Sequence, residues 1–352
     1  MKQLSKNTIA LLEDIEDRID PETEADFEDQ WRNFLFDRFH GDLFSPKRSK
    51  LSASLASLDP IENINDAVGC YDHMLRHQLQ DIASALNSTS RNLCIRANYG
   101  TGILSSVFGA EIFHMPRHTN TLPTTKPFND TELIRAKVEE GMPNLKTGFG
   151  QNVFEFGEFC AEVFAHYPKI QKYVKVYHPD LQGPLDICEL LWGGEMFYAM
   201  YDEPELVHAM LELVTDTYEA FMDQWHSIFP ADPEMNPHWS YLYHRGAIML
   251  RNDSAMNLSP DLYREFAAPY DGRLLRRYGG AVHFCGRGDH YIKTLCSLPG
   301  LHGIQMSQPH LNNMEIIYQN TVDRGIRLLS LKRETAQQAL SRPGGVHQCI
   351  SC

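Results

Sequence analysis

The segment Ala-Val-His-Phe-Cys-Gly at residues 281–286 predicts a buried strand that ends in two side chains able to bind a metal. Two glycines precede it, and two glycines also precede a second phrase, Val-His-Gln-Cys at residues 346–349. Because side chains at positions i and i+2 of a strand share a face, His283 and Cys285 are expected to lie side by side. An imidazole next to a thiol is half of a zinc site.

Strand and helix patterns alternate on both sides of this segment. Strands are predicted from about residue 92 and near 173–177, 247–250, 281–285, 303–306, 327–330 and 345–350, with amphipathic helices between them. Ser259 followed by Pro260 is a helix start. This alternation predicts an α/β fold with a parallel sheet, and the number of strands favours a (β/α)8 TIM barrel at residues 91–352. Residues 1–90 are predicted to form an N-terminal helical extension.

The composition narrows the class of protein. A formal net charge of −14 argues against a nucleic-acid partner or an anionic membrane surface. No apolar run approaches the ~18 residues of a membrane span, and the N-terminus lacks the pattern of a signal peptide, so we expect a cytoplasmic protein. Eight cysteines in 352 residues are not a disulfide framework in that compartment.

Polar residues end most of the predicted strands, and active sites of barrels lie at the carboxyl ends of their strands. The predicted catalytic residues are Asp253, His310 and Tyr99. The predicted substrate-binding residues are Asn98, His178, Arg251 and Arg287. The predicted metal ligands are His283, Cys285, Cys349 and Cys352. All of these side chains are expected around one mouth of the barrel.

The metal site is predicted from strand alternation. With Val282 and Phe284 facing the helices, His283 and Cys285 face the barrel interior. The same alternation makes Cys349 the better third ligand, although Cys352, beyond the strand, could also reach. Zinc bound by one imidazole and two thiolates keeps a fourth position for substrate and can activate a thiol. In the alternative interpretation these cysteines are small buried apolar residues.

The other candidates also have two interpretations each. Asp253 follows a strand directly and is suited to acid–base chemistry or substrate binding, or else to capping the next segment. Arg251 and Arg287 could hold a carboxylate or a phosphate, or could be rim charges that pair with acids. His310 could assist proton transfer, or could simply bond to the backbone.

Three stretches resemble the uroporphyrinogen decarboxylase superfamily, which includes the zinc-dependent methylcobamide:coenzyme M methyltransferases. Residues 183–216 are similar to the family's Gly-Pro segment and its following helix, and residues 252–270 to its Asp-Ser strand end with Ser-Pro and a helix. Residues 281–286 are similar to the metal-binding H-x-C-G of the methyltransferase branch. The decarboxylase branch has an arginine-rich phrase near the first strand, whereas residues 95–102 contain only Arg96.

The resemblance implies an enzyme with a (β/α)8 barrel, in which Zn²⁺ is held by His283, Cys285 and either Cys349 or Cys352. It implies methyl transfer from a methylated corrinoid, free or on a corrinoid carrier protein, to a small-molecule thiol acceptor. The alternatives are a metal-free decarboxylase of a carboxylated, tetrapyrrole-like substrate and a non-catalytic barrel that binds a corrinoid or tetrapyrrole. Barrels of this family often pair, so a homodimer is one of the open alternatives.

Overall fold

Short strands alternate with helices throughout residues 4–53 and 63–352, the part of the chain described by a computed structural model. The first elements are α1 Lys6–Arg18, α2 Pro21–Leu35, β1 Leu43–Phe44, α3 Ile64–Val68, α4 Tyr71–Ala85, β2 Cys94–Ile95, α5 Ile103–Val107, β3 Glu111–Phe113, β4 Thr124–Lys126, α6 Thr131–Glu140, α7 Gly148–Phe164, α8 Pro168–Tyr173 and β5 Lys175–Val176. The remaining elements are α9 Pro184–Trp192, α10 Glu195–Asp202, α11 Pro204–Ile228, β6 Met235–His238, β7 Leu242–Arg245, β8 Ile248–Arg251, α12 Pro260–Phe266, α13 Ala268–Tyr278, β9 Gly280–Phe284, α14 Ile292–Leu295, β10 Leu301–Met306, α15 Met314–Asn320, β11 Arg327–Leu328, α16 Arg333–Ala339 and β12 Ile350–Ser351.

Six strands form one parallel sheet in the spatial order β1–β12–β11–β10–β9–β8. A separate parallel pair joins β2 to β5, and two antiparallel hairpins are formed by β3–β4 and β6–β7. Parallel neighbours need long crossover connections, which the helices supply. The predicted mixed α/β fold with a parallel sheet is confirmed.

The predicted closed ring of strands is not seen among the described residues, because no strand pairing joins the six-stranded sheet to the β2–β5 pair. At the edge of the sheet, Nε2 of His178 accepts a hydrogen bond of 2.9 Å from the backbone N–H of Met249 in β8. A side chain thus occupies the position that a carbonyl of a neighbouring strand would take. The arrangement is compatible with a TIM-like fold whose ladder is interrupted at this edge.

The N-terminal region contributes a strand as well as helices. Leu43 and Phe44 of β1 pair with Ile350 and Ser351 of β12. The first two helices of this region, α1 and α2, are separate because the carboxylate of Asp20 caps α2 and Pro21 occupies its first position. The predicted helix start at Ser259 is confirmed, since its hydroxyl accepts from the N–H of Leu262 at 3.2 Å.

The two faces of the six-stranded sheet pack against different partners. Val282 and Ile304 belong to the large core formed with the surrounding helices. On the opposite face, Ala281 and its neighbours pack against α2 and the β6–β7 hairpin, with Trp31 and Tyr243 among the contacts. Adjacent residues of one strand therefore enter different cores, as the alternation of a pleated strand requires.

None of the helices in the described residues has both the length and the apolar character needed to cross a lipid bilayer.

Candidate metal site at the carboxyl ends of two strands

Asp253, His283 and Cys285 meet where the neighbouring parallel strands β8 and β9 end. Asp253 follows β8, Cys285 follows β9, and His283 is the penultimate residue of β9, opposite Arg251 in the ladder. One ligand atom from each of the three lies within 4.8 Å of the other two. Within residues 4–53 and 63–352, this is the one group of three histidine, cysteine or acidic side chains close enough to share a metal ion.

The imidazole of His283 is held with its Nε2 atom facing the other two residues. Nε2 lies 3.4 Å from Sγ of Cys285 and 3.6 Å from Oδ1 of Asp253. Nδ1 bonds to the amide oxygen of Gln305, the residue opposite His283 on β10. Because an amide oxygen can only accept, Nδ1 carries the proton and Nε2 keeps a free lone pair.

Burial and the nearby positive charge of Arg251 lower the pKa of His283, although the charge of Asp253 acts in the opposite direction. The side chain of His283 is only 8% exposed. The imidazole is therefore neutral near pH 7, which is the form that binds metals.

Cys285 is tied to Asp253 through its backbone. Its N–H donates to Oδ1 of Asp253 at 2.6 Å, and its Sγ lies 3.5 Å from the hydroxyl of Ser307 at the end of β10. Burial raises the pKa of the Cys285 thiol, the bond to Ser307 opposes that shift, and the charge of Asp253 adds to it. Without a cation nearby, the thiol keeps its proton at neutral pH.

The loop that carries Asp253 is fixed by Asp186 in the first turn of α9. The Asp186 carboxylate accepts from the backbone N–H groups of Asp253 at 3.0 Å and Ser254 at 2.7 Å. The hydroxyl of Ser254 also bonds to Glu189. Burial, with a further contribution from the charge of Asp253, raises the pKa of Asp186 to about 7. Asp186 and Glu189, both within the segment 183–216, therefore hold the loop that carries Asp253 in place.

The structure does not bring Cys349 or Cys352 to this group. Cys349 precedes β12, at the amino end of the strand, and its Sγ accepts from Arg327 at the start of β11 (3.4 Å). Cys352 follows β12 and packs on the helix-side core, while its N–H donates to the carbonyl of Phe44 at 2.9 Å. Two strands, β10 and β11, separate β12 from β9. Asp253, predicted for acid–base chemistry, is the third member of the group instead.

Four other predicted residues make no hydrogen bond or ion pair with the group within the described residues. Tyr99 is buried in the helix-side core with its ring 5.5 Å from that of Phe149, and Asn98 is buried beside it. His310 is exposed in a turn after β10. Arg287 is 62% exposed and pairs with Asp289 at 2.7 Å. None of these four is held facing Asp253, His283 or Cys285 by a contact in the described residues.

Arg251 and His178 lie inside the fold and are bonded to protein groups. Nε of Arg251 pairs with Asp180 at 3.2 Å, and Nη2 bonds to Nε2 of His238 at 2.7 Å. Nδ1 of His178 bonds to the carbonyl of Pro179, and burial lowers the pKa of His178 to about 3. Arg251 thus places a buried charge, paired with Asp180, opposite His283 in the ladder. His178 bonds to the backbone of the edge strand β8.

Three residues that shape the site, Gln305, Asp186 and Trp239, were not among the predicted site residues, although the sequence marks Gln305 as a polar residue at a strand end. Gln305 is a polar residue inside a buried strand, and Asp186 is an acid inside an apolar run, so each had a signal. Trp239 had none. Its ring packs edge-on against His283, with 5.1 Å between the ring centres and 79° between the planes.

A cleft of about 440 Å³ opens elsewhere, beside β5 and the β6–β7 hairpin. It is lined by Lys172, Lys175, Phe229 and Tyr243 among others, and by none of the three residues of the candidate site.

Comparison with known proteins identifies the fold. A solved structure described as a methyltransferase from Methanosarcina mazei superposes with a TM-score of 0.62, covering 92% of this chain and 90% of that chain at 13% sequence identity. At that identity the likeness establishes the fold alone. No family's sequence profile matches the chain, and no curated protein matches it by sequence.

Proposed function

We propose that this chain is a zinc-dependent methyltransferase with a TIM barrel of the uroporphyrinogen decarboxylase type. In this proposal it moves a methyl group from a methylated corrinoid to a thiol acceptor. The observation that carries it is the convergence of Asp253, His283 and Cys285 within 4.8 Å at the carboxyl ends of two parallel strands. The overall likeness to a structure described as a methyltransferase supports it.

The three side chains fit a catalytic zinc ion. They offer one nitrogen, one sulfur and one oxygen atom, all of which zinc accepts in proteins, and three protein ligands leave a fourth position for substrate. The unprotonated Nε2 of His283 faces the group because Gln305 holds Nδ1. A partner of this kind on the far nitrogen is typical of histidines that bind zinc.

Bound zinc would lower the pKa of an incoming thiol, so that the thiolate would be present near neutral pH. The chain's own residues set the conditions for that role: His283 stays neutral, Cys285 releases its thiol proton on binding, and Asp253 contributes a negative charge. In the transfer itself, the bond from methyl to donor breaks and the donor keeps the electron pair. A carbon–sulfur bond forms, and the proton of the acceptor thiol goes to solvent.

The proposal includes partners and location that follow from the family resemblance. The methyl donor is a free methylcorrinoid or one on a carrier protein, which approaches the carboxyl ends of the strands. The acceptor is a small molecule, the chain works in the cytoplasm alone or as a homodimer, and neither nucleic acid nor membrane takes part. The proposed domain division is residues 1–90 as an extension, which adds β1 to the six-stranded sheet, and residues 91–352 as the barrel.

Metal analysis of the purified full-length protein tests the proposal. We expect about one equivalent of zinc in the wild type and a loss of most of it in Cys285→Ser. Cys70→Ser is the matched control, because Cys70 is exposed and lies at the start of α4, outside the site. After dialysis against zinc, a wild-type content below about a tenth of an equivalent would remove the metal-dependent function.

An activity assay separates methyl transfer from the decarboxylase alternative. Methylcobalamin and a simple thiol such as 2-mercaptoethanol serve as probes, with loss of the methyl–cobalt absorbance as the signal. We expect turnover that a chelator abolishes and zinc restores. Loss of carboxyl groups from a tetrapyrrole in the presence of chelator would instead favour the metal-free enzyme.

A further inference from the structure

The tip of the β6–β7 hairpin, residues 239–241, reaches the candidate site from the face of the sheet opposite the helices. Trp239 adopts a backbone φ of 49°. This left-handed conformation is unusual for a bulky aromatic residue, because its Cβ crowds the neighbouring carbonyl. Such a conformation persists only where the surrounding structure imposes it, and such residues cluster at functional sites.

The carbonyl groups of the tip are each bonded to a different part of the chain. The bonds run from the thiol of Cys94 to the carbonyl of Trp239 (2.9 Å), from the N–H of Asn92 to that of Ser240 (2.6 Å), and from the hydroxyl of Ser330 to that of Tyr241 (3.1 Å). Two of these donors belong to the region of β2 and the third follows β11. The hairpin tip is therefore fixed from both sides, and the strained conformation is imposed by the fold.

The side chain of Trp239 is fixed as firmly as its backbone. The guanidinium of Arg251 lies over its ring at 4.5 Å, and the ring of Tyr241 stacks on it at 5.4 Å with 15° between the planes. The Trp239 ring in turn meets the imidazole of His283 at 79°. A hydrogen bond from Nδ1 of that imidazole to Gln305 fixes one point of the ring, and Trp239 restricts rotation of the imidazole about this hydrogen bond.

We propose that Trp239 is a positioning residue, which holds the imidazole plane of His283 so that Nε2 faces Asp253 and Cys285. The role in metal binding rests on the proposed function. The orientation of the ring does not, because it is a property of the metal-free protein. The two can therefore be tested separately in one set of variants.

Trp239→Gly is the informative variant. Glycine adopts positive φ without strain, so the hairpin keeps its backbone while the ring is removed. Trp239→Phe keeps an aromatic ring and is the conservative variant. Trp225→Phe is the control, because Trp225 is a buried tryptophan of α11 that packs against Phe229.

The first measurement is NMR of metal-free, full-length protein with ¹⁵N-labelled histidine at one fixed pH, with the His283 signals assigned through His283→Asn. We expect a single tautomer with the proton on Nδ1 in the wild type, Trp239→Phe and Trp225→Phe. In Trp239→Gly the imidazole is no longer kept in line with Gln305, so its Nδ1–H bond to that residue is broken part of the time and mixed tautomers should appear. A pattern in Trp239→Gly identical to that of the wild type would overturn the inference, whatever the metal affinity.

The second measurement is titration with cobalt(II), followed by the absorbance of the cobalt–thiolate bond. We expect affinity to fall about tenfold in Trp239→Gly and to be retained in Trp239→Phe, as for loss of other groups that orient metal-binding histidines. An altered tautomer pattern in a protein whose wild type binds no cobalt would leave the positioning role standing and contradict the proposed metal function. If Trp239→Gly does not fold, Trp239→Asn decides, because asparagine also tolerates positive φ and lacks the ring; a single wild-type tautomer in that variant would refute positioning by the ring.

Discussion

Replacing Gln305 with leucine is expected to weaken zinc binding about 10- to 100-fold, because Gln305 is the partner that fixes the tautomer of His283. Gln305 is buried and lies directly opposite His283 on β10. Without its amide oxygen, Nδ1 loses its acceptor, and the proton can move to Nε2, the atom that faces Asp253 and Cys285. The expected loss corresponds to about 1.4 to 2.7 kcal/mol of binding free energy.

The assay is competition with a chromogenic chelator on metal-free protein at one pH. Gln305→Glu is the matched variant, because a carboxylate in that position accepts the same proton more strongly and should keep zinc affinity at or above the wild-type level. The leucine variant also leaves a buried donor without a partner, so its free energy of unfolding should fall by about 1 to 3 kcal/mol. Wild-type affinity in a folded Gln305→Leu, or equal loss in both variants, would refute the role of the amide oxygen.

Three further outcomes are expected. The affinity of the proposed site for zinc should rise about tenfold per pH unit between about 6 and 8, because the Cys285 thiol, with its raised pKa, must lose a proton to bind. Calorimetry in buffers of different ionisation enthalpy should show about one proton released per zinc ion bound. Binding without release of a proton would contradict this prediction. Burial raises the pKa of Asp271 to about 8, so the folded state keeps a proton that the unfolded state loses near pH 4. Asp271 alone should lower stability by at most about 1.4 kcal/mol per unit as pH rises from about 4 to about 8. In denaturant titrations Asp271→Asn should remove this share of the slope and leave the share of Asp186, whose pKa is raised to about 7. Gly183→Ala places a Cβ 2.0 Å from the carbonyl oxygen of Arg251 and should lower the free energy of unfolding by about 3 kcal/mol. In the same denaturant titration the control Gly194→Ala, whose Cβ would have no neighbour within 4 Å, should change it by less than about 1 kcal/mol.

The sequence was sufficient for the parts of the site that depend on local structure. Alternation within residues 281–285 places His283 and Cys285 on one face, and the structure shows their side chains 3.4 Å apart. The position of Asp253 after a strand and the parallel order of neighbouring strands also follow from the pattern. Together they bring three residues to one edge of the sheet.

Strand alternation does not extend to Cys349, the residue it favoured as third ligand, because that residue lies outside the strand, so its role stays a prediction. His347 and Gln348 both adopt positive φ, 47° and 60°, so the chain turns there and β12 begins only at Ile350. Cys349 consequently lies at the amino edge of the sheet, although Cys285 lies at the carboxyl edge. Two consecutive left-handed residues outside glycine are imposed by tertiary contacts, and residue preferences did not indicate them.

The hairpin at residues 235–245 was also outside the reach of the sequence pattern. Its strands contain Pro237 and the polar residues Asn236 and His244, so no regular alternation marks them. Its position depends on contacts with segments as far apart as Asn92 and Ser330. Contacts between residues so distant along the chain leave no local sequence pattern. The contact of Trp239 with His283 could therefore be found only from the structure.

Charge balance gives a reason why a carboxylate and one thiol would suffice for the proposed zinc ion. In the metal-free protein the group has one negative charge, on Asp253, because burial keeps His283 neutral and Cys285 protonated. Binding of a divalent ion with release of the thiol proton would give two negative ligands against two positive charges. A second thiolate in addition to Asp253 would leave a net negative charge in a half-buried position, where an unbalanced charge is costly. The placement of Cys349 at the opposite edge, beside Arg327, is consistent with a neutral site that has no need of it.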